Sequence, residues 1–208
     1  MEIVIKHLLK KYNQKTVLDI PHLHVRKGQI TGLLGDNGCG KSTLLKIIGG
    51  LDFDYEGEVL YDSLHFKKEN RQIIGMVSQN PYLFKRSVYE NIEYPLKVRG
   101  IEKDKRKEIV NQFLQNMYIE GISSQRADTL SGGEAQKVAL ARVLAAAPKI
   151  LLLDETTSNI HEEAVLIIEK ELKAYHQSTG CTIIFVTHNQ AQAKRFCGAC
   201  IHLDLPRK

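Results

Sequence analysis

Residues 35–42 have the spacing of a phosphate-binding loop, with the sequence GDNGCGKS. An apolar run at 30–34 precedes the loop and a helical run at 43–48 follows it, as the motif requires. The glycines let backbone N–H groups turn towards a phosphate, and the start of the helix adds a favourable dipole. We therefore expect Lys41 to reach the β- and γ-phosphates of a nucleotide and the Ser42 hydroxyl to bind Mg²⁺. The expected nucleotide contacts in this segment are Gly35, Asn37, Gly38, Cys39, Gly40, Lys41, Ser42 and Thr43.

Two adjacent carboxylates, Asp154 and Glu155, follow a second apolar run at 150–153. Because parallel strands end at one edge of their sheet, this pair would lie beside the phosphates. Asp154 would hold Mg²⁺, and Glu155 would act as general base towards an attacking water. Taken alone, the pair also fits a solvated acidic turn after a core strand; the phosphate loop favours the metal site.

The elements that must position these residues alternate between short apolar runs and helical patterns. Runs at 30–34, 73–77, 150–153 and 182–186 are typical of strands buried on both faces of a parallel sheet. Helical periodicity predicts helices at 43–48, 109–118, 134–147 and 162–175. This alternation predicts an α/β layer fold. Residues 1–30 and 57–66 instead suggest an antiparallel edge sheet with turns at 12–13 and 27–28.

Composition excludes several classes of protein. The chain has 208 residues, 43% hydrophobic and 25% charged, which is typical of a globular protein. Its net charge of +5 is concentrated at 97–107, and the remaining charges are nearly balanced, which argues against a nucleic-acid-coating surface. We expect that run to be a solvated approach to the helix at 109–118, a contact with anionic lipid being the alternative. The sequence has no run of 18 apolar residues and no secretory signal, and its four cysteines are too sparse for a disulfide scaffold.

A second glycine motif, LSGGE, occupies residues 130–134. Ser131 and Glu134 have the spacing of a capping box, so the motif also fits an ordinary helix start. That interpretation does not explain Gly132 and Gly133, because other side chains favour a helix more strongly. Exposed glycines at a free helix N-terminus would make a second anion site.

With this motif in place, the chain resembles the ATP-binding cassette (ABC) ATPase family. LSGGE followed by QK and then ARVLAAAPKILLLDE is similar to that family's signature segment running into its Walker B strand. The resemblance covers the whole chain and implies one domain, 1–208, with a helical subdomain inserted at about 80–147. It implies a P-loop NTPase fold with a mainly parallel core sheet, an antiparallel β edge subdomain and a helical signature subdomain. It also implies a head-to-tail dimer, in which Ser131, Gly132 and Gly133 bind the γ-phosphate of ATP held by the other chain.

Three further positions match the family. Tyr12 stands where an aromatic ring stacks on adenine, and the alternative is a turn tyrosine. Gln79 resembles the glutamine that touches Mg²⁺ or the attacking water and senses the membrane partner. His188 follows an apolar run and resembles the histidine that bonds to the γ-phosphate and holds the water and Glu155 in place. For both residues the alternative is a purely structural role.

The chain departs from the family after the two carboxylates. Thr156 replaces the usual proline, and His161 replaces an aspartate that couples the two ATP sites. Because histidine provides no fixed negative charge, that coupling is in doubt, and we expect His161→Asp to preserve or raise ATPase activity. Cys39 replaces a Ser or Ala, which predicts inhibition by thiol reagents and protection by ATP. The spacing of Cys197, Cys200 and His202 invites a zinc interpretation, but the last core strand fits better.

The resemblance implies an ATPase subunit that uses ATP and Mg²⁺ to power transport of a solute through separate membrane subunits. The segment 80–100 is similar to that of small prokaryotic importer ATPases serving oxyanions such as tungstate or phosphate, and would dock on the permease. Expected partners are an identical or different ABC ATPase chain, transmembrane permease subunits and, at one remove, a solute-binding protein, with no nucleic acid. The chain would be cytoplasmic and peripheral on the inner face of the membrane. The alternatives are a force-transmitting membrane ABC ATPase and a soluble DNA-repair or translation protein; the short segment 80–130 argues against the repair type.

Overall fold

The computed structural model of the chain describes residues 1–205, apart from the side chains of residues 68 and 69. A five-stranded parallel sheet has the strand order β6-β7-β8-β3-β9. Its strands are β3 (Ile30–Leu34), β6 (Ile74–Val77), β7 (Ile150–Asp154), β8 (Thr182–Val186) and β9 (Ala199–His202). All residues of β3 and β8 are buried, as their continuous apolar sequences predicted. The predicted run at 73–77 begins one residue late, because Ile73 ends a short 3₁₀ helix.

A second, antiparallel sheet confirms the expected edge sheet. Its order is β2-β1-β4-β5, from β1 (Ile3–Tyr12), β2 (Lys15–Val25), β4 (Glu56–Tyr61) and β5 (Leu64–His65). A two-residue turn joins β1 to β2, and both of its residues, Asn13 and Gln14, have positive φ. Such turns match the twist of a hairpin and fix its register, which brings Tyr12 opposite Lys15.

Within residues 1–205, six α-helices accompany the sheets: α1 (Lys41–Ile48), α2 (Val88–Val98), α3 (Lys103–Asn116), α4 (Gly132–Ala145), α5 (Glu162–Thr179) and α6 (Gln190–Phe196). All four predicted helices are shifted or longer. The helix expected at 43–48 begins two residues earlier, at Lys41. The helix expected at 109–118 starts at Lys103. The expectation that the basic run 97–107 only leads into that helix was therefore wrong, because the run contains the end of α2 and the start of α3. The helix expected at 134–147 runs from Gly132 to Ala145. The helix expected at 162–175 continues to Thr179 and is ended by Gly180, whose backbone is left-handed.

The two faces of the parallel sheet belong to two different apolar clusters. In β7, Leu151 and Leu153 pack with the helices α2–α5, whereas Ile150 and Leu152 pack with α1 and the antiparallel sheet. The first cluster runs without a break from the sheet into α2, α3 and α4, the region predicted as an inserted helical subdomain. That boundary, and the single domain 1–208, stay predictions, and residues 206–208 lie outside the described chain. No helix within residues 1–205 is long and apolar enough to cross a membrane.

Candidate functional site

The predicted phosphate loop is the turn between β3 and α1. Gly38 and Gly40 have φ of 84° and 96°, a left-handed region that other residues adopt only with strain. A β-carbon on Gly40 would lie 2.4 Å from Leu18 Cδ2, so the close approach of β2 also requires glycine there. Gly40 precedes α1 and, lacking a side chain, leaves the N-terminal N–H groups of that helix available to an anion.

The Lys41 side chain is buried within this loop. Its Nζ donates hydrogen bonds to the carbonyl oxygens of Gly35 (2.7 Å) and Asp36 (2.8 Å). Cys39 Sγ lies 3.9 Å from the same nitrogen. The loop therefore holds its cation in place with its own backbone.

A cavity of about 430 Å³ joins the loop to two other predicted residues. An adjacent cavity of about 460 Å³ shares Asn37 and Glu155 and adds His188. The structure thus brings the phosphate loop, Gln79, Glu155 and His188, which are separate in the sequence, to the C-terminal edge of the parallel sheet. The predicted residues that line the first cavity are Asn37, Gly38, Gly40, Lys41, Ser42, Thr43, Gln79 and Glu155.

Glu155 sits in a tight turn directly after β7. It has a positive φ of 49°, and its N–H donates to the carbonyl of Val186 in β8 (3.2 Å). Its own carbonyl accepts from Ser158, both from the backbone N–H (3.1 Å) and from Oγ (2.7 Å). Asp154, the last residue of β7, is half-buried and immediately precedes this turn. The turn therefore fixes the backbone from which the Glu155 carboxylate extends towards the loop.

Gln79 and His188 approach the same turn from two other strands. Gln79 Nε2 donates to Ser158 Oγ (3.0 Å), so the segment after β6 is tied to the Glu155 turn. His188 Nδ1 lies 3.9 Å from Glu155 Oε2, and its side chain is 65% exposed. This separation exceeds a hydrogen bond but leaves both groups facing the cavity they share, as is common before a substrate binds.

Tyr12 lies at the end of β1, where it contacts charged groups. Its hydroxyl donates to Asp52 Oδ2 (2.9 Å), and this hydrogen bond raises the pKa of Tyr12. Lys10 Nζ lies 4.5 Å from the centre of the Tyr12 ring. The ring is 46% exposed and remains free to stack on a planar group, so the adenine contact stays a prediction.

The second glycine motif begins α4 with the predicted capping box. Glu134 Oε2 accepts from the backbone N–H (2.9 Å) and the hydroxyl (2.6 Å) of Ser131. These bonds lower the pKa of Glu134. In the described part of the chain, no atom would lie within 4 Å of a β-carbon at Gly132. Ser131, Gly132 and Gly133 line neither cavity, so within residues 1–205 the two predicted anion sites are separate.

Near the two carboxylates, both departures from the family are visible. Thr156 is buried, and its Oγ1 has no hydrogen-bond partner among residues 1–205. His161 is the N-cap residue of α5, but its side chain accepts no capping hydrogen bond from the described chain. The exposed imidazole therefore leaves the first turn of that helix without a side-chain cap.

The region of Cys197 and Cys200 belongs to the core sheet. Cys200 lies in β9 opposite Gly32, and a β-carbon on Gly32 would lie 3.1 Å from Cys197 Sγ and 3.2 Å from Cys200 Sγ. Burial raises the pKa of Cys197 to about 12. His, Cys, Asp and Glu side chains within residues 1–205 form no cluster of three that could hold a metal ion. The strand interpretation is therefore correct and the zinc interpretation has no support.

Sequence reasoning missed three polar residues around the site. Gln136, in α4, donates from Nε2 to the carbonyls of Ser78 (3.3 Å) and Gln79. Ser158 bridges Gln79 and Glu155, as described above. Gln192, in α6, bonds to the loops that follow β7 and β8. Gln136 belongs to the QK pair that follows LSGGE, which was the signal available for it; Gln192 gave no comparable signal.

An apolar groove of about 440 Å³ lies between β6, α2 and α4, beside Gln79. Phe84 packs between Tyr82 and Tyr94 (ring centres 6.2 and 4.7 Å apart), and the Arg142 guanidinium lies 5.2 Å from its ring. Arg142 also donates to the Tyr82 carbonyl (2.7 Å). Aromatic side chains thus line a surface groove that adjoins the phosphate site.

Known proteins share both the sequence and the fold. Residues 18–158 match the family described as ABC transporter. The chain is 45% identical to the tungstate uptake system ATP-binding protein TupC of Peptoclostridium acidaminophilum, over 100% of this chain and 96% of that protein. It is 39% identical to the sulfate/thiosulfate import ATP-binding protein CysA of Xanthomonas campestris, over 93% of this chain but only 58% of that protein. A dimeric bacterial ABC transporter cassette of known structure superposes with a TM-score of 0.88 at 30% identity, covering 99% of this chain and 97% of that one.

These similarities agree with the arrangement of the site. The family match covers the phosphate loop and the Glu155 turn, which meet at the sheet edge. It also covers the LSGGE motif at the start of α4. The likeness in fold extends over nearly the whole chain. The chain belongs to the ABC transporter family and is an ATP-binding, ATP-hydrolysing subunit of a transporter.

Proposed function

We propose that this chain powers the import of a tungstate-like oxyanion through separate permease subunits. The observation that carries the ATPase chemistry is the single cavity shared by Lys41, Ser42, Gln79 and Glu155. The substrate class rests on the similarity to TupC, which extends over the full chain. The similarity to a sulfate/thiosulfate protein supports the same class, since these ions are tetrahedral oxyanions.

The residues present fit ATP with Mg²⁺. Ser42 and Gln79 line the cavity, and Asp154 ends the strand beside it, so a hydroxyl, an amide and a carboxylate would supply the oxygen ligands that Mg²⁺ prefers. The metal would neutralise charge on the phosphates. Lys41 would exchange the carbonyls of Gly35 and Asp36 for phosphate oxygens, with the open N–H groups of α1 beside it.

Three side chains of this chain would act on the attacking water. Glu155 would accept its proton, because a carboxylate on a fixed turn is well placed as a general base. His188, which faces the same cavity, would hold the γ-phosphate and keep Glu155 oriented. Gln79 would orient the water. Its hydrogen bond to Ser158 would couple a movement of Gln79 to the Glu155 turn.

Two chains would complete two sites in a head-to-tail dimer. The N-terminus of α4, with Ser131, Gly132 and Gly133, has the open glycines of an anion site but does not line the phosphate cavity of its own chain, as described above. The similar cassette of known structure is dimeric. A second chain, identical or different, would therefore place its LSGGE motif on the γ-phosphate held by the first.

The aromatic groove beside Gln79 would receive a short helix of the permease. The groove is lined by β6, the segment after it and α4, so a helix seated there would touch both the Gln79 segment and the LSGGE helix. Gln136 donates hydrogen bonds from α4 to the Gln79 segment. A permease helix that moves either element would therefore affect the position of Gln79 at the ATP site. In this arrangement the chain lies at the inner face of the membrane, and a solute-binding protein delivers the oxyanion to the opposite face.

Capture of the native complex tests this proposal. Tagged Glu155→Gln protein, held closed with ATP, is isolated from detergent-solubilised native membranes, and its partners are identified by mass spectrometry. We expect a multi-span permease whose accompanying binding protein binds tungstate or molybdate in a calorimetric titration. A binding protein that takes only organic solutes would contradict the oxyanion assignment. Recovery with ribosomes, nucleic acid or a cell-division complex would contradict the import function.

A further inference from the structure

Gln192 joins two loops that each carry one of the residues assigned to hydrolysis. Its Oε1 accepts from Thr187 Oγ1 (2.8 Å), and Thr187 immediately precedes His188. Its Oε1 and Nε2 lie 3.2 and 3.0 Å from Thr157 Oγ1, two residues after Glu155. One amide therefore contacts the chain next to both members of the Glu155–His188 pair.

The amide is itself held in place by a charged pair. Gln192 Nε2 donates to Glu169 Oε1 (2.8 Å) in α5, and Arg195 binds both oxygens of that carboxylate (2.8 and 3.2 Å). Gln192 and Glu169 are 4% and 5% exposed. Hydrogen bonds between groups that are buried away from water are strong and restricted in geometry, so the position of the amide is well defined.

The backbone on both sides of His188 is fixed through the same contact. Thr187 Oγ1 donates to Gln192 and accepts from the N–H of Asn189 (3.1 Å). The Asn189 side chain in turn accepts from the N–H of Gln192 (3.0 Å) and caps α6. Residues 187–192 thus form a closed set of hydrogen bonds that presents His188, which is largely exposed, towards Glu155.

We propose that Gln192 is a positioning residue for ATP hydrolysis, setting the distance between His188 and Glu155 by tying the loop after β7 to the loop after β8. The inference rests on the proposed roles of those two residues. Gln192 does not line the phosphate-loop cavity, so its loss affects the hydrolytic pair and leaves nucleotide binding to Lys41 and α1.

Gln192→Leu tests the inference, because leucine fills a similar volume without hydrogen bonds. Gln177→Leu is the matched control, since Gln177 is exposed on α5. We expect kcat for ATP to fall by about tenfold or more in Gln192→Leu, as for loss of correct orientation. The KM for ATP and the binding stoichiometry of a fluorescent ATP analogue should stay within about twofold of the unchanged protein and the control. Unchanged kcat, or a fall in kcat matched by lost binding sites, would overturn the proposal.

Gln192→Glu provides a second measurement, the pH dependence of kcat, which partial unfolding of the variant would not reproduce. When protonated, the new carboxyl can still donate to Glu169 and accept from Thr187; when ionised, it places a second negative charge against Glu169, with only Arg195 to offset the pair. The other titratable groups around this region are Glu155, Glu162 and His188, and they are present in both proteins. We therefore expect the ratio of variant to unchanged kcat to rise as pH falls from about 8.5 to 6. A ratio independent of pH would contradict the inference.

Two further variants separate this inference from the function on which it rests. If His188→Ala and Glu155→Gln lose hydrolysis but Gln192→Leu does not, only the role of Gln192 is wrong. If Glu155→Gln hydrolyses ATP at the unchanged rate, the assigned roles of the pair are wrong and the positioning role falls with them.

Discussion

His161 shows how a single residue can separate helix stability from catalysis. It occupies the N-cap of α5, followed by Glu162 and Glu163, and its side chain accepts no capping bond from the described chain. Aspartate at an N-cap accepts such a bond and interacts favourably with the helix dipole. We expect His161→Asp to raise the free energy of unfolding by about 1 kcal/mol and to preserve or raise ATPase activity.

Denaturant unfolding and phosphate release measure these two effects, with His161→Ala as the control. The alanine variant should show neither gain. A large loss of activity in His161→Asp would show that the imidazole has a role of its own in the loop after Glu155.

Cys39 is a second residue whose chemistry depends on its surroundings. The thiol is fully buried beside Gly35 and Lys41, so a reagent reaches it only when the phosphate loop opens. We expect a maleimide to inhibit the ATPase slowly, and ATP to protect it by holding the loop closed. Cys200, which is exposed, should react first and without loss of activity. The same inhibition in Cys39→Ser would exclude Cys39 as the target.

A buried lysine, Lys10, attaches β1 to the segment before β4 through two ion pairs. Lys10 Nζ is bound by Asp52 Oδ1 (3.0 Å) and Asp54 Oδ2 (3.2 Å). Burial on its own would raise the pKa of Asp52, but hydrogen bonds from Lys10, the Asp54 N–H and Tyr12 outweigh it and lower the pKa. A lowered pKa contributes stability at pH values above the ordinary value of 3.8, and that stability is lost as the pH falls through the folded-state pKa.

We therefore expect Asp52→Asn to lose about 2 kcal/mol of unfolding free energy at pH 7. The difference from the unchanged protein should shrink as the pH falls below the ordinary value of 3.8, because the unfolded chain then takes up a proton at Asp52 more readily than the folded chain does. Asp54→Asn is the matched control, because Asp54 is 94% exposed and its pair with Lys10 is screened by solvent. Equal losses at pH 7 and pH 3 would show that Asp52 acts through packing and not through its charge.

The strands were more predictable from the sequence than the helices. Continuous apolar runs identify β3, β7 and β8, because a strand that is buried on both faces has no polar residues to interrupt the run. Helix α2 escaped detection because Pro95 interrupts its pattern, although Ser87 and Glu90 form a capping box that marks its start. Helix α6 is short and its sequence, QAQAKRF, is mostly polar.

The same contrast holds for the site. Lys41, Glu155 and His188 directly follow buried strands or lie in a spaced motif, so local sequence locates them. Gln192 depends on Thr157 and Glu169, which come from other elements, and only the folded chain brings them together. A role created by long-range hydrogen bonds leaves no spacing that can be seen in one sequence.

The separation of the two proposed anion sites predicts complementation between inactive chains. A dimer of Lys41→Ala chains lacks both phosphate-loop cations, and a dimer of Ser131→Arg chains has both LSGGE motifs blocked. A mixed dimer retains one intact composite site. If the sites act independently, an equal mixture should regain roughly a quarter of the unchanged turnover, since half of the dimers are mixed.

Phosphate release from the two variants, alone and mixed, measures this effect. Mixing Lys41→Ala with Glu155→Gln is the control. Both changes disable the phosphate-loop half of a site, so each of the two composite sites in the mixed dimer carries one defect and activity should not return. Activity of Ser131→Arg on its own would contradict the shared site.

The burial of Lys41 has a consequence for how tightly nucleotide can bind. Its ammonium already has two acceptors, the carbonyls of Gly35 and Asp36, before any phosphate arrives. When a phosphate binds, Lys41 gives up contacts with these carbonyls. The measured ATP affinity therefore reflects the energy of the new phosphate contacts minus that of the loop contacts that are lost. The same cost applies to any small anion that enters the loop, so this cation gains less from binding an anion than a lysine without the two carbonyl contacts would.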